Sequence, residues 1–80
     1  MRYNVIDFGA VGDGAADDSE SIQRAINACG KRGGTVVFPS DHTFLSSSLL
    51  LKPGVELHLE KGALLKATAI YTDTSDRLKP

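Results

Sequence analysis

Asp7-Phe8-Gly9-Ala10-Val11-Gly12-Asp13-Gly14, continuing through Asp17-Asp18-Ser19-Glu20 into Ile22-Gln23-Arg24-Ala25-Ile26, is the stretch on which the reading of this chain turns. It predicts a strand, a tight glycine-rich turn and a capped helix. Gly9, Gly12 and Gly14 place three permissive backbones close together. The surrounding aspartates, Asp7, Asp13, Asp17 and Asp18, are of the type that accepts hydrogen bonds from turn amides. Asp17 or Asp18 is expected at the N-cap, with Glu20 completing a capping box. Ile22, Ala25, Ile26 and Cys29 recur at i, i+3, i+4 and i+7 and form one apolar stripe, while Glu20, Gln23, Arg24 and Asn27 fall off it. Gly30 is expected as the left-handed residue that ends the helix, with Lys31 and Arg32 facing its negative end.

Outward from this stretch the chain reads as strands. On its N-terminal side, Tyr3 to Phe8 is the first candidate. After Gly33-Gly34 come Thr35 to Phe38, stopped by Pro39, and then Thr43 to Leu45 and Leu49 to Leu51. Lys52-Pro53-Gly54 signals a turn. Val55, Leu57 and Leu59 alternate with Glu56, His58 and Glu60, which describes a strand with one wet face. Lys61-Gly62 turns again before Ala63 to Ala67. From Thr72 to Pro80 no periodicity is present.

The segments around Gly34–Phe38 and Gly54–Leu59 resemble each other, and the strands that follow stand at similar offsets. Short strands and tight turns at a spacing of about 20 residues describe coils of a parallel β-helix. Such coils bury a core only by stacking, and a minimum of three is the usual need. The sequence is read as holding fewer than two. The helix is expected to cover one end of the stack, the other end to expose strand edges that remaining β-helix coils or another copy of the chain would cover, and the polypeptide to continue past Pro80.

Size and composition set the outer bounds. Eighty residues make at most one small domain, and a chain of this length alone buries only about 60% of its unfolded surface. At 41% hydrophobic and 24% charged residues it is too apolar for disorder. A net charge of −1 offers no electrostatic case for nucleic acid or for an anionic membrane. The single cysteine, Cys29, rules out an internal disulfide and falls on the apolar helix stripe, where a buried inert thiol is expected. No apolar run approaches the roughly 18 residues of a membrane span.

With these residues in place, the chain resembles a known superfamily. Asn4 to Gly14, Asp17-Asp18-Ser19, Ile22 to Ile26 and Gly33-Gly34-Thr35-Val36-Val37-Phe38-Pro39 look like the N-terminal signature of pectin-lyase-fold proteins. Leu57-His58-Leu59-Glu60-Lys61-Gly62-Ala63-Leu64-Leu65 looks more specifically like the polygalacturonases of glycoside hydrolase family 28. The resemblance runs from about Tyr3 to about Ala69. It implies a mainly β protein, a right-handed parallel β-helix, of which residues 1–80 are the N-terminal cap and first coils. It also implies inverting hydrolysis of pectic polysaccharide, in which one carboxylic acid protonates the leaving oxygen and a carboxylate about 6.5–9.5 Å away activates water. In that family these groups come in Asn-Thr-Asp, Asp-Asp, Gly-His-Gly and Arg-Ile-Lys motifs on later coils. None is matched here, since Asp17-Asp18 stands at a helix start. No catalytic, cofactor-binding or metal-binding residue is therefore assigned. The alternative is the opening segment of a non-hydrolytic, glycan-binding β-helix protein such as a tailspike or adhesin. The pectic reading implies a secreted or periplasmic protein; without a signal peptide in the sequence, the alternative is cytoplasmic.

Other constellations carry less. Gly12-Asp13-Gly14-Ala15-Ala16-Asp17 approaches a dinucleotide fingerprint, but Asp17 replaces its third glycine and the aspartates oppose a pyrophosphate. Asp13, Asp17, Asp18 and Glu20 lack the spacing of a calcium loop. His42 is read as a solvated turn residue. His58, Glu56 and Glu60 share one strand face and stand too far apart to converge on a metal. Lys61 and Lys66 are placed to touch an acidic polysaccharide or to protect turns and edges. Ser46, Ser47 and Ser48 have no base set to activate them.

Overall fold

In the computed structural model, which describes residues 1–72, eight short strands and one helix follow in the order β1 (Arg2–Asn4), β2 (Asp13–Asp17), α1 (Ser19–Gly30), β3 (Gly34–Phe38), β4 (Thr43–Ser46), β5 (Leu49–Leu51), β6 (Val55–Leu59), β7 (Leu64–Ala67) and β8 (Ile70–Thr72). Every pairing is parallel. The strands form three sheets, β1-β3-β6, β2-β4-β7 and β5-β8. Gly34 pairs with Val55, Thr43 with Leu64 and Leu49 with Ile70, so one offset of 21 residues holds on all three faces. This is a parallel β-helix with a mainly β composition and one helix. β3-β4-β5 and β6-β7-β8 are two complete coils, and β1 and β2 belong to a partial coil before them.

The core lies where the inner faces of the coils meet the helix. Val5, Ile22, Ala25, Ile26, Cys29, Val36, Phe38, Phe44 and Leu49 are closed to solvent and pack as one cluster. Phe38 and Phe44 meet edge to face, with ring centroids 5.4 Å apart, a geometry that contributes about 0.5–1.5 kcal/mol beyond burial. The predicted stripe of α1 is the buried one. One coil further on, the packing thins. Val36, Phe44 and Leu49 are buried, but their register partners Leu57, Leu65 and Ile70 are half-buried or exposed. Burial is lost because no coil of the described residues lies beyond β6-β7-β8.

The helix does the work of missing strands at the other end. β5 has no preceding strand in its sheet, which leaves an edge to cover. The Gln23 side chain covers it: Nε2 donates to the Leu50 carbonyl and Oε1 accepts from the Leu50 amide, both at 2.9 Å. A side-chain amide thus imitates one rung of a β-ladder. Beside it, the Asp18 amide donates to the Leu45 carbonyl (2.8 Å) and Ser19 Oγ accepts from the Ser47 amide (2.7 Å). Arg24 ties the helix back to the turn before β2, donating to the Phe8 carbonyl and to Glu20 Oε1, each at 2.8 Å.

Several sequence expectations are corrected. Tyr3 to Phe8 is not one strand: β1 stops at Asn4, whose side chain accepts from the Ile6 amide, and Val5–Phe8 forms a 3₁₀ turn. Residues 13–17, expected as turn, form β2, because its ladder partners lie in a strand distant in sequence. Asp18 precedes the helix but makes no side-chain bond to it. Its carboxylate, buried at 3% exposure, accepts instead from the amides of Val11 and Gly12 at 2.9 and 3.0 Å. Glu20 pairs with Arg24 rather than closing a capping box. The left-handed residue after α1 is Gly33, at φ 78°, whose amide donates to the Cys29 carbonyl; Gly30 stays helical against Lys52. Ile70–Thr72 is a strand that sequence reading missed, and it completes a second coil where fewer than two were expected. The stretch after Thr72, read as lacking periodicity, lies outside the described residues. Among the described residues no helix is long and apolar enough to cross a membrane.

Two substitutions test this account by chemical denaturation. Gly12 sits at φ 68°, and a Cβ there would come within 2.7 Å of Phe44 and 2.8 Å of His42. Gly12→Ala is expected to destabilise by about 2–4 kcal/mol, left-handed strain adding to overpacking. Gln23→Ala removes three hydrogen bonds, two to Leu50 and one to Asn27, at a position that water reaches, and is expected to cost about 1 kcal/mol. An equal loss for both would contradict the difference in burial between the two sites.

Candidate functional site

The outer face of the β2-β4-β7 sheet holds an open groove of about 370 Å³, lined by Ala15, Asp17, Leu45, Ser46, Ser47, Lys66 and Thr68. Pleating explains why. Along a strand, alternate side chains face opposite ways, so with Phe44 and Leu65 turned into the core, Leu45 and Lys66 face out. Register then lines up Asp17, Leu45 and Lys66 in one row across the three strands. A second row, Asp13, Thr43 and Leu64, runs beside it. Between Asp13 and Asp17 the register of β2 shifts, a bulge that brings Ala15 to the groove wall.

The row is polar at both ends and apolar in the middle. Asp17 Oδ1 accepts from the Ser19 hydroxyl and from the Ser19 amide (2.9 Å). These bonds favour the ionised form and hold the Asp17 carboxyl below its ordinary pKa of 3.8. Asp13 is held below that value too, by the amides of Ala16 and Ala15. The Ser19 hydroxyl also accepts from Ser47 Oγ at 3.0 Å, so the serine wall of the groove is tied to the helix start. Lys66 has no carboxylate partner among the described residues. The groove therefore offers a fixed anion, an apolar floor, hydroxyls and a cation available to a ligand.

The other residues weighed from sequence fall elsewhere. His42 is not a solvated turn residue. Its ring stacks on Phe44 at 5.7 Å between centroids, and Nδ1 donates to the Ser40 carbonyl at 2.8 Å. Its neighbour Asp41 takes the left-handed φ of 61°, which holds the turn before β4. His58 and Glu56 are exposed on β6 as expected, while the Glu60 carboxylate accepts from the Ser40 amide one coil back (3.2 Å). Among the described residues, no three His, Cys, Asp or Glu side chains come together in a way that would hold a metal ion. Cys29 is buried and unpaired, and desolvation pushes its thiol pKa up. Lys61, at the turn after β6, and Ser48, between β4 and β5, are both exposed and neither lines the groove. Sequence reading missed Leu45, Thr68 and Asp17 as groove residues. A spacing of 21 rather than about 20 residues would have paired Leu45 with Lys66 directly.

Comparison with known proteins fits this geometry. Residues 2–74 match the family described as rhamnogalacturonase A/epimerase, pectate lyase-like. The chain belongs to this family. It is 48% identical over 86 residues to mannuronan C5-epimerase AlgE4 of Azotobacter vinelandii, a match spanning 96% of the chain and 15% of that protein. The family 28 exopolygalacturonase of Yersinia enterocolitica superposes with a TM-score of 0.76 at 40% identity, covering 84% of the chain and 11% of the enzyme. PfbA, a surface adhesin of Streptococcus pneumoniae, superposes with a TM-score of 0.75 at 40% identity, covering 81% and 15%. The chain thus spans between about a tenth and a sixth of these family relatives. It is a pectin-lyase-fold, polygalacturonase-like segment, similar also to an epimerase and an adhesin.

The lowered pKa values of Asp13 and Asp17 set a stability prediction. A carboxyl whose folded pKa lies below its unfolded one stabilises above the unfolded value and loses that contribution as pH falls through the folded one. The Asp13→Asn/Asp17→Asn double variant should be less stable than the parent at neutral pH, and the two should converge well below pH 3.8. Urea midpoints measured across that range provide the check. A gap that persists undiminished in acid would show that charge at these positions is not what stabilises the fold.

Proposed function

We propose that residues 1–80 are the N-terminal cap and first coils of a polygalacturonase-like glycoside hydrolase that cleaves pectic polysaccharide by inverting acid/base hydrolysis. The observation that carries the reading is the family match over residues 2–74 joined to the outward-facing groove on the β2-β4-β7 sheet. In this reading the described residues of the cap supply no acid/base pair. Asp17 and Asp18 are adjacent in sequence, but Asp18 is buried against Val11 and Gly12 while Asp17 faces the groove. They cannot stand across a glycosidic bond at the separation that inversion requires. In this reading the coils contribute binding surface, the catalytic carboxylates stand on later coils, and the protein works outside the cytoplasm, where pectic polymers are found.

A second reading is supported by the likeness to PfbA, which is a surface adhesin. On the same coils, the groove would hold a glycan without cleaving it. Fold alone does not separate the two.

Incubating the intact protein with polygalacturonate separates them. The hydrolase reading predicts new reducing ends whose anomeric configuration, followed by NMR, is inverted at first release. Binding with no reducing ends supports the adhesin reading. The 80-residue chain by itself is expected to release none in either case.

A further inference from the structure

The groove carries its charges in a fixed order along the stack of coils. Asp17 stands on β2, nearest the cap, Leu45 on β4 and Lys66 on β7, in one register row. Neighbouring strands lie about 4.8 Å apart, so Asp17 and Lys66 are separated by about 10 Å along the row. That is comparable to the screening length of about 8 Å at physiological salt. A ligand lying along the row therefore meets the two charges as separate local environments rather than as a neutral pair. Asp17 is also kept ionised and held in place, because the Ser19 hydroxyl and amide both donate to it.

We infer that Asp17 is a specificity-determining residue: the groove accepts a carboxylated sugar over Lys66 and rejects one at the cap end, where an uncharged sugar fits. The inference rests on the groove being the glycan-binding face. Ser46, Ser47 and Thr68 line the same space and provide hydroxyls for uncharged sugar at either position. Leu45 offers an apolar floor between them. A uniformly anionic polymer gains at Lys66 and loses at Asp17. A chain whose acidic sugar is followed by an uncharged one towards the cap gains at Lys66 and avoids the loss.

The experiment is calorimetric titration of the intact protein, at low ionic strength, with oligogalacturonate and with its fully methyl-esterified counterpart. Three variants are compared with the parent: Asp17→Asn, Asp17→Ser and Lys66→Gln. Asp17→Ser leaves a hydroxyl to accept from the Ser19 amide, and so keeps the test valid if Asp17→Asn perturbs the helix start. Both Asp17 variants are expected to bind oligogalacturonate about two- to fivefold more tightly, and Lys66→Gln to bind it more weakly by a similar factor, as suits exposed charges. Binding of the esterified probe should change little in any variant, and the gain from Asp17→Asn should shrink as salt is added. Unchanged or weaker oligogalacturonate binding in both Asp17 variants, with the Lys66→Gln loss intact, overturns the role of Asp17 and leaves the groove as the binding face. If neither probe binds, or Lys66→Gln and both Asp17 variants all bind as the parent does, the groove reading falls and this inference falls with it.

Discussion

A parallel β-helix must deal with the outward edges of its first coil, whose amides and carbonyls would otherwise lack partners. In this chain the obligation falls on α1, and most plainly on Gln23. Its amide group is the one side-chain type with donor and acceptor arranged to satisfy a strand residue on both counts. It meets Leu50 on β5, the strand that has no predecessor in its sheet. Asp18 and Ser19 treat the C-terminal end of β4 in the same way, through backbone and hydroxyl. The apolar stripe of the helix then closes the coil interior over Val36, Phe38, Phe44 and Leu49. Covering the edges and closing the core are one act, performed by two faces of a twelve-residue helix.

That arrangement fixes the glycine-rich stretch before the helix. To reach the helix from β1, the chain must pass the bottom of the coil and turn back at close quarters. Asp18 holds this return by accepting from Val11 and Gly12, and Arg24 holds it by donating to Phe8. Gly12 is then pressed against Phe44 and His42 so tightly that a side chain has no room. His42, stacked on Phe44, is part of the same contact. Its position therefore reflects packing, and no step of acid/base chemistry needs to be assigned to it.

Much of this was legible in the sequence, and the failures share a cause. The helix stripe, the strands β3 to β7 and the coil-like repetition follow from local periodicity, which depends on side chains within a few positions of each other. The family resemblance rested on motifs within residues 4–39 and on 57–65, and the match over 2–74 bears it out. What was misread depends on partners far away in the chain. Asp13–Asp17 has the composition of a turn and becomes a strand only because β4 lies beside it. Asp18 has the residue type of an N-cap, but the Val11 and Gly12 amides compete for it and win. Ile70–Thr72 is too short and too exposed to stand out until β5 supplies its ladder. The groove was invisible for the same reason, since its row of Asp17, Leu45 and Lys66 exists only once the register is known.

The gradient of burial from cap to last coil also separates what these residues do for the fold from what they do for a ligand. At the cap, polar groups such as Asp18 are buried and committed to backbone partners. On the outer face of β2-β4-β7, Lys66 has no acidic partner among the described residues, and Leu45 and Thr68 face the groove. A stability role would predict pairing there, because a sheet gains from matched cross-strand neighbours. Asp17, Leu45 and Lys66 are instead unlike neighbours set in line, a negative charge and a positive one kept apart by a leucine. Asp17 is occupied on one oxygen by Ser19, which anchors it without neutralising it. Beyond the bonds of Asp17 to Ser19, the sequence of charges across the row adds little to folding, and its order along the coil axis matters chiefly for something that lies along it.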